Sequence, residues 1–274
     1  MNAILGIDAA WTGNQPSGVA LVERTALGWR CIAVAPSYDT FIALAHGIPV
    51  DWEAANIPGS VPPVAKLLEA TARLTGAHLS VVAIDMPVAT VPITGRRAAD
   101  NAISRMFGSR GCSTHSPSTE RPGRLGAALS RKFQSLGYTI ATASDPPGAP
   151  SRLIEVYPHP ALLSLLGRDE RVRYKVSKAG KYWPDHQPSE RRTAILRELH
   201  AIRKELQAEL GQFELSLPAI STITTQRTLK RFEDALDALV CAWVGTRYME
   251  KKVLAFGDST AAIWCPTDQH HPTH

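Results

Sequence analysis

The chain has 274 residues, 44% hydrophobic and 20% charged, with a net charge of +5, a globular composition that excludes a disordered or low-complexity chain. No apolar run approaches the roughly 18 residues of a membrane helix, so no membrane partner is expected. The cysteines, Cys31, Cys112, Cys241 and Cys265, have no C-x-x-C spacing, which excludes a zinc knuckle or redox pair and suits the cytoplasm.

"MNAILGIDAAW" lacks a basic region and reads as a first strand, over 3–8, and not as a signal peptide. "VALVE", 19–23, and "WRCIAVA", 29–35, follow across turn residues and complete a three-strand meander. Residues 36–62 are proline-rich and read as irregular. "PVAKLLEATARLT", 63–75, is an amphipathic helix with proline at its start and Gly76 past its end. "LSVVAID", 79–85, is a buried strand, and a strand after a helix predicts a parallel crossover.

Residues 88–150 read as a helical, basic insertion, with helices over 95–107 and 124–137. Between 96 and 132 there are eight Lys/Arg against two Asp/Glu. "SRLIEVYPHP", 151–160, reads as a further strand, and 168–186 as a second basic stretch. A long helix over 189–210 carries Ile195, Leu199, Ile202, Leu206 and Leu210 on its apolar stripe. "DALDALVCAW" belongs to a helix over about 228–250, and "AAIWCP", 261–266, reads as a last edge strand. Residues 267–274 form a polar tail. With no internal repeat, the order predicts one α/β domain over 1–274.

Acids close or occupy three strands: Asp8, Asp85 and Glu155. Asp234 and Asp237 share one face of the late helix, because residues three apart are helical neighbours. Ligands of open α/β sheets collect beyond the carboxyl ends of strands, so these acids can meet at one edge. Crowded carboxylates repel, and Mg²⁺ or Mn²⁺, which takes oxygen ligands, relieves the conflict. Two such ions roughly 4 Å apart support phosphodiester cleavage by water. Each acid taken alone has a plainer reading, as a cap or a surface group; their conjunction is what points to a metal.

The basic stretches supply phosphate contacts from Arg96, Arg97, Arg105, Arg110, Lys175, Lys178 and Lys181, or else a solvated face. Tyr174, Tyr182 and Trp183 lie among them and either stack on bases or fill a core. His159, between two prolines, orients a phosphate or is structural. Cys241 reads as a small buried apolar residue.

The pieces "GIDAAW" (6–11), "AIDMPV" (83–88), "RAAD" (97–100), "EVYPHP" (155–160), "YK" (174–175) and "DALDALVCAW" (234–243) run over nearly the whole chain. In that order they resemble a bacterial and archaeal family of predicted RNase H-like nucleases, the domain of unknown function numbered 429. The D-x-x-D-A-L helix is also similar to that of RuvC-type Holliday-junction resolvases. The resemblance implies an RNase H-like mixed sheet with flanking helices, with Asp8, Asp85 and Asp237 at catalytic, metal-binding positions. Glu155 and Asp234 become fourth and fifth members, Glu155 as a further metal ligand. Arg97 and Asp100 match a motif in the insertion, where Ala99 stands in place of the family's usual cysteine.

The expectation is a Mg²⁺- or Mn²⁺-dependent nuclease acting on nucleic acid, with Arg97, Asp100, His159 and Lys175 on the substrate side. The RuvC-type likeness also admits a homodimer. The alternatives are a non-catalytic metal- or nucleic-acid-binding protein of the same fold, and an actin-like ATPase or small-molecule kinase. The last lacks its Gly-rich phosphate hairpin here.

Overall fold

The computed structural model describes residues 2–222 and 224–267. Strands β1 (Asn2–Asp8), β2 (Gly18–Thr25) and β3 (Gly28–Ala35) form the predicted meander, with β1 and β2 paired antiparallel from Ala3↔Glu23 to Asp8↔Gly18. Helix α1 (Tyr38–Leu44) lies in the stretch read as irregular. Its signal is a reciprocal cap: Thr40 N donates to Ser37 Oγ at 3.1 Å and Ser37 N to Thr40 Oγ1 at 3.0 Å. Two turns are too few for apolar periodicity to reveal such a helix.

Helix α2 (Val64–Leu74) then leads to β4 (His78–Ile84), which runs parallel to β1 as the crossover predicts. The insertion carries α3 (Ala98–Phe107), α4 (Arg124–Ser135) and a two-residue strand, β5 (Thr139–Ile140). Strand β6 (Arg152–Val156) is shorter than the predicted 151–160, because Pro158 opens α5 (Pro158–Leu166). Proline's fixed φ suits the first turn of a helix.

A 3₁₀ turn at Val176–Lys178 and the short α6 (Ala179–Tyr182) precede α7 (Pro188–Leu210), whose predicted stripe is buried throughout. Helix α8 (Gln226–Met249) is followed by β7 (Val253–Gly257) and β8 (Ala262–Pro266). Among the described residues the eight strands form one mixed sheet in the order β3-β2-β1-β4-β6-β8-β7. Strand β5 shares an edge of β6 with β8, β5 taking Arg152 and Leu153, β8 taking Glu155 and Val156. The prediction of an edge strand at the end is thus corrected: β8 lies inside the sheet and β7 forms the edge. The predicted tail lies outside the described residues from 268 onward. Among the described residues no helix is long and apolar enough to cross a membrane.

Alternation along the strands divides the core into two faces. Ile4, Val81, Ala83, Ile154 and Val156 pack with α5, α7 and α8. Leu5, Ile7, Val82, Ile84 and Leu153 pack with α1, α2 and α4 on the other side. Helix α8 lies very close to β1. A Cβ added at Gly6 would stand 2.2 Å from the Ala238 carbonyl oxygen, and one at Gly18 would stand 2.1 Å from that of Asp234. Both contacts are with backbone, which cannot step aside as a side chain can. Gly6→Ala should therefore lower the unfolding free energy by about 1–3 kcal/mol, the usual cost of overpacking. An unchanged urea midpoint would show that the helix is not seated on β1.

Candidate functional site

The sheet brings Asp8 and Asp85 together. Ile7 pairs with Ile84 across parallel strands, and the Asp85 amide donates to the Ile7 carbonyl at 2.9 Å. Alternation from Ile4 and Gly6 places Asp8 on the α8 face, and Val81 and Ala83 place Asp85 there too. Among the described residues neither carboxylate has an ion-pair partner. Burial drives the Asp85 pKa well above the carboxylate range, and the neighbouring Asp8 raises it further.

Helix α8 supplies three acids to this face: Glu233, Asp234 and Asp237, all buried. Each has a cation. Lys175 Nζ bonds Asp237 Oδ2 and lies 3.3 Å from Glu233 Oε1, while Tyr174 donates its hydroxyl to Asp237 Oδ1 at 2.7 Å. Lys230 lies 3.0 Å from Glu233 Oε1 and bonds Asp234 Oδ1. The Val176 amide completes Glu233 at 2.7 Å. Burial works against the Lys175 ammonium, but Asp237 and Glu233 outweigh it and hold it charged. Burial pushes Asp237 up to about 6; Lys175 opposes that rise, and Asp8 and Glu233 add to it.

Glu155 borders this cluster, lining one cleft with Asp85 and Lys175 and adding to the rise of the Asp85 pKa, but its carboxylate is bound elsewhere. Ile154 and Val156 face α8, so the pleat turns Glu155 to the opposite face. There Arg97 grips it with two bonds, 2.6 and 2.7 Å, and the Val88 amide donates at 2.9 Å. Arg97 also donates to both oxygens of Asp100, at 3.1 and 2.9 Å, and to the Val88 carbonyl at 2.9 Å. A guanidinium has five N–H donors, and these bonds use all five. Arg97 and Asp100 therefore tie the insertion to β6. Glu155 is the partner of Arg97.

Arg96 and Arg110 are also braces: Arg96 bonds Asn101 at 2.7 Å, and Arg110 bonds the Asp169 and Arg168 carbonyls at 2.8 and 2.7 Å. Tyr182 and Trp183 pack against the core, and Cys241 is buried as predicted. Glu233, Lys230 and Arg171 escaped the sequence reading. Lys230 stands three and four residues before Glu233 and Asp234, a helical ion-pair spacing that was there to be read.

The site suits one arrangement of a divalent ion better than another. Among the described residues no three His, Cys, Asp or Glu side chains converge as a cage. Mg²⁺, however, commonly takes one or two carboxylates and keeps its waters. The unpaired Asp8 and Asp85 fit that role for Mg²⁺ or Mn²⁺, with Asp237 beside them. Asp234, Asp237 and Glu155 are each held by a cation.

Two outcomes follow. Asp85 has a raised folded pKa, so above the unfolded value near 4 the unfolded chain ionises first and folding stability is lost as pH rises. Asp85→Asn should raise the urea midpoint at about pH 7 and leave it unchanged near pH 4; an equal gain at both would refute the crowding. Glu155→Ala leaves Arg97 charged and buried, and should cost about 3–5 kcal/mol in stability. A loss within error of zero would return Glu155 to the list of dispensable ligands.

No curated protein and no solved structure matches the chain. The family described as "Protein of unknown function (DUF429)" matches residues 6–261, nearly the whole length. The chain belongs to that family.

Proposed function

We propose that the chain is a Mg²⁺- or Mn²⁺-dependent nuclease that hydrolyses phosphodiester bonds in nucleic acid, on an RNase H-like frame. The frame is supported by the order β3-β2-β1-β4, with β4 parallel to β1, and by a late acidic helix laid across both. One observation carries the chemistry. Asp8 and Asp85 stand side by side at adjacent strand ends and, among the described residues, without an ion-pair partner, close enough to Asp237 for its charge to raise the Asp85 pKa.

When bound, a divalent ion lowers the pKa of water and offsets phosphoryl charge. Asp8 and Asp85 would hold it. Lys175, fixed between Glu233 and Asp237, sets a permanent positive charge next to the acids. A preorganised charge of this kind stabilises a developing oxyanion without rearranging at the moment of reaction. Tyr174 and the Val176 amide fix Asp237 and Glu233, and so keep Lys175 in place.

The test is a labelled panel of single-stranded DNA, duplex, four-way junction, RNA and RNA–DNA hybrid, with Mn²⁺, Mg²⁺ or chelator. Wild type should cut at least one member only with metal. Asp8→Asn and Asp85→Asn should each lose about 100-fold or more, the scale of removing one transition-state charge contact. Cutting that survives both substitutions, or that ignores chelator, would sink the proposal.

A further inference from the structure

A trough of about 530 Å³ lies between α4 and the segment that follows β4. We infer that it is the approach path of an unpaired nucleic-acid strand, with the sugar-phosphate backbone on one wall and the bases on the other. The inference rests on the nuclease reading for its purpose, but the binding it describes needs no turnover.

The α4 wall is cationic. Arg124, Arg131 and Gln134 line the trough. Residues seven apart return to the same helical face, so the two arginines stand in one row. Both are exposed, and among the described residues neither guanidinium has an ion-pair or hydrogen-bond partner. Among the described residues no carboxylate lines the trough. Its positive charge is therefore not cancelled, in contrast to the cleft beside Asp85, where Lys175 and Lys230 are matched by the acids of α8. Seven helical residues separate the two Cα atoms by about 10.5 Å along the axis. Cations in a spaced row suit a chain of phosphates better than a single compact anion.

The facing wall is apolar. Pro87, Val91 and Ile93 line it, and Val91 is 49% exposed. An apolar wall opposite a cationic one matches a strand whose bases are free, because such a strand offers base faces on one side and phosphates on the other. A duplex keeps its bases stacked inside and leaves the apolar wall unused.

The trough leads to the acids. Pro87 lines both the trough and the cleft that holds Asp85, His159 and Lys175. Helix α4 is fitted to this junction at Gly126, where a Cβ would stand 3.4 Å from Met86 Sδ and 3.4 Å from the Pro87 carbonyl oxygen. Met86 and Pro87 directly follow Asp85 in the chain. The helix that carries the arginines is thus packed on the segment that leaves the acid pair, and that packing fixes the cations relative to Asp85. A strand laid in the trough arrives at Asp85.

The experiment is fluorescence anisotropy in chelator, where no cleavage occurs, at several salt concentrations. The labelled ligands are single-stranded DNA, RNA of the same sequence, duplex DNA and poly-glutamate. At least one single strand should bind about tenfold tighter than the duplex, which cannot bury apolar surface on the second wall. Arg124→Met and Arg131→Met should each reduce the slope of log affinity against log salt by about 0.7, the loss of one phosphate contact on a single strand. Lys132→Met removes the same charge from the same helix, but outside the trough, and should leave the slope unchanged. Val91→Glu sets an acid on the apolar wall and should erase the preference for unpaired strands. Equal slope losses in all three charge variants would show a diffuse field and overturn the path. Duplex or poly-glutamate binding as tight as the single strands would overturn it too. Metal-dependent cutting with unchanged slopes in both arginine variants would remove the trough and leave the nuclease reading standing. A blank cleavage panel with the slopes reduced as expected would instead remove the nuclease reading alone.

Discussion

The contact of α8 with β1 sets the terms for everything else in the molecule. Gly6 and Gly18 let the helix backbone approach the strand backbone within a distance that any side chain would forbid. Ala238 and Ala242 keep the facing stripe of the helix equally slim. Once the helix is that close, its preceding turn lies over the ends of β1 and β4. Asp234 and Asp237 then share a small volume with Asp8 and Asp85. The acid site is thus a by-product of backbone packing, and its dimensions are as rigid as the core that fixes them.

Burying so many carboxylates would be prohibitive without compensation. The protein divides them into two kinds. Glu155 and Asp100 are matched by Arg97 at the joint between the insertion and the sheet. Glu233, Asp234 and Asp237 are matched by two lysines. Asp8 and Asp85 are left over. Buried ion pairs contribute little net stability, but removing one partner is costly, so the matched groups act as fixed scaffolding. In the unmatched pair the cost of burial falls on Asp85, whose charge is disfavoured by burial and by Asp8.

The strands, the long helices and the parallel crossover were legible because period and turn chemistry are local. The convergence of Asp8 and Asp85 was legible for the same reason: each ends a buried apolar run, and parallel neighbours align their ends. The pairing of Glu155 with Arg97 was not legible. Counting acids at strand ends ignores the pleat, and one residue of register decides which face an acid sees. The brace of Arg97 and Asp100 was hidden in a related way, since a charged pair in a basic insertion looks the same whether it meets a substrate or a buried glutamate. Helix α1 was too short for periodicity. The interior place of β8 depends on contacts made across a hundred residues, which no window of sequence contains.

That late interior strand has a kinetic meaning. Strand β6 offers one edge of its C-terminal half to nothing until β8 is made, and α8 is itself encoded in the last fifth of the chain. A growing polypeptide would therefore expose an unpaired edge beside a half-built acid pocket for most of its synthesis. Long-range pairings of this kind are slow to close. Asp8 and Asp85, both present once residue 85 is made, meet their covering helix only when residues 226–249 follow. The order of translation thus keeps the charged centre open and incomplete until the rest of the fold is ready to enclose it.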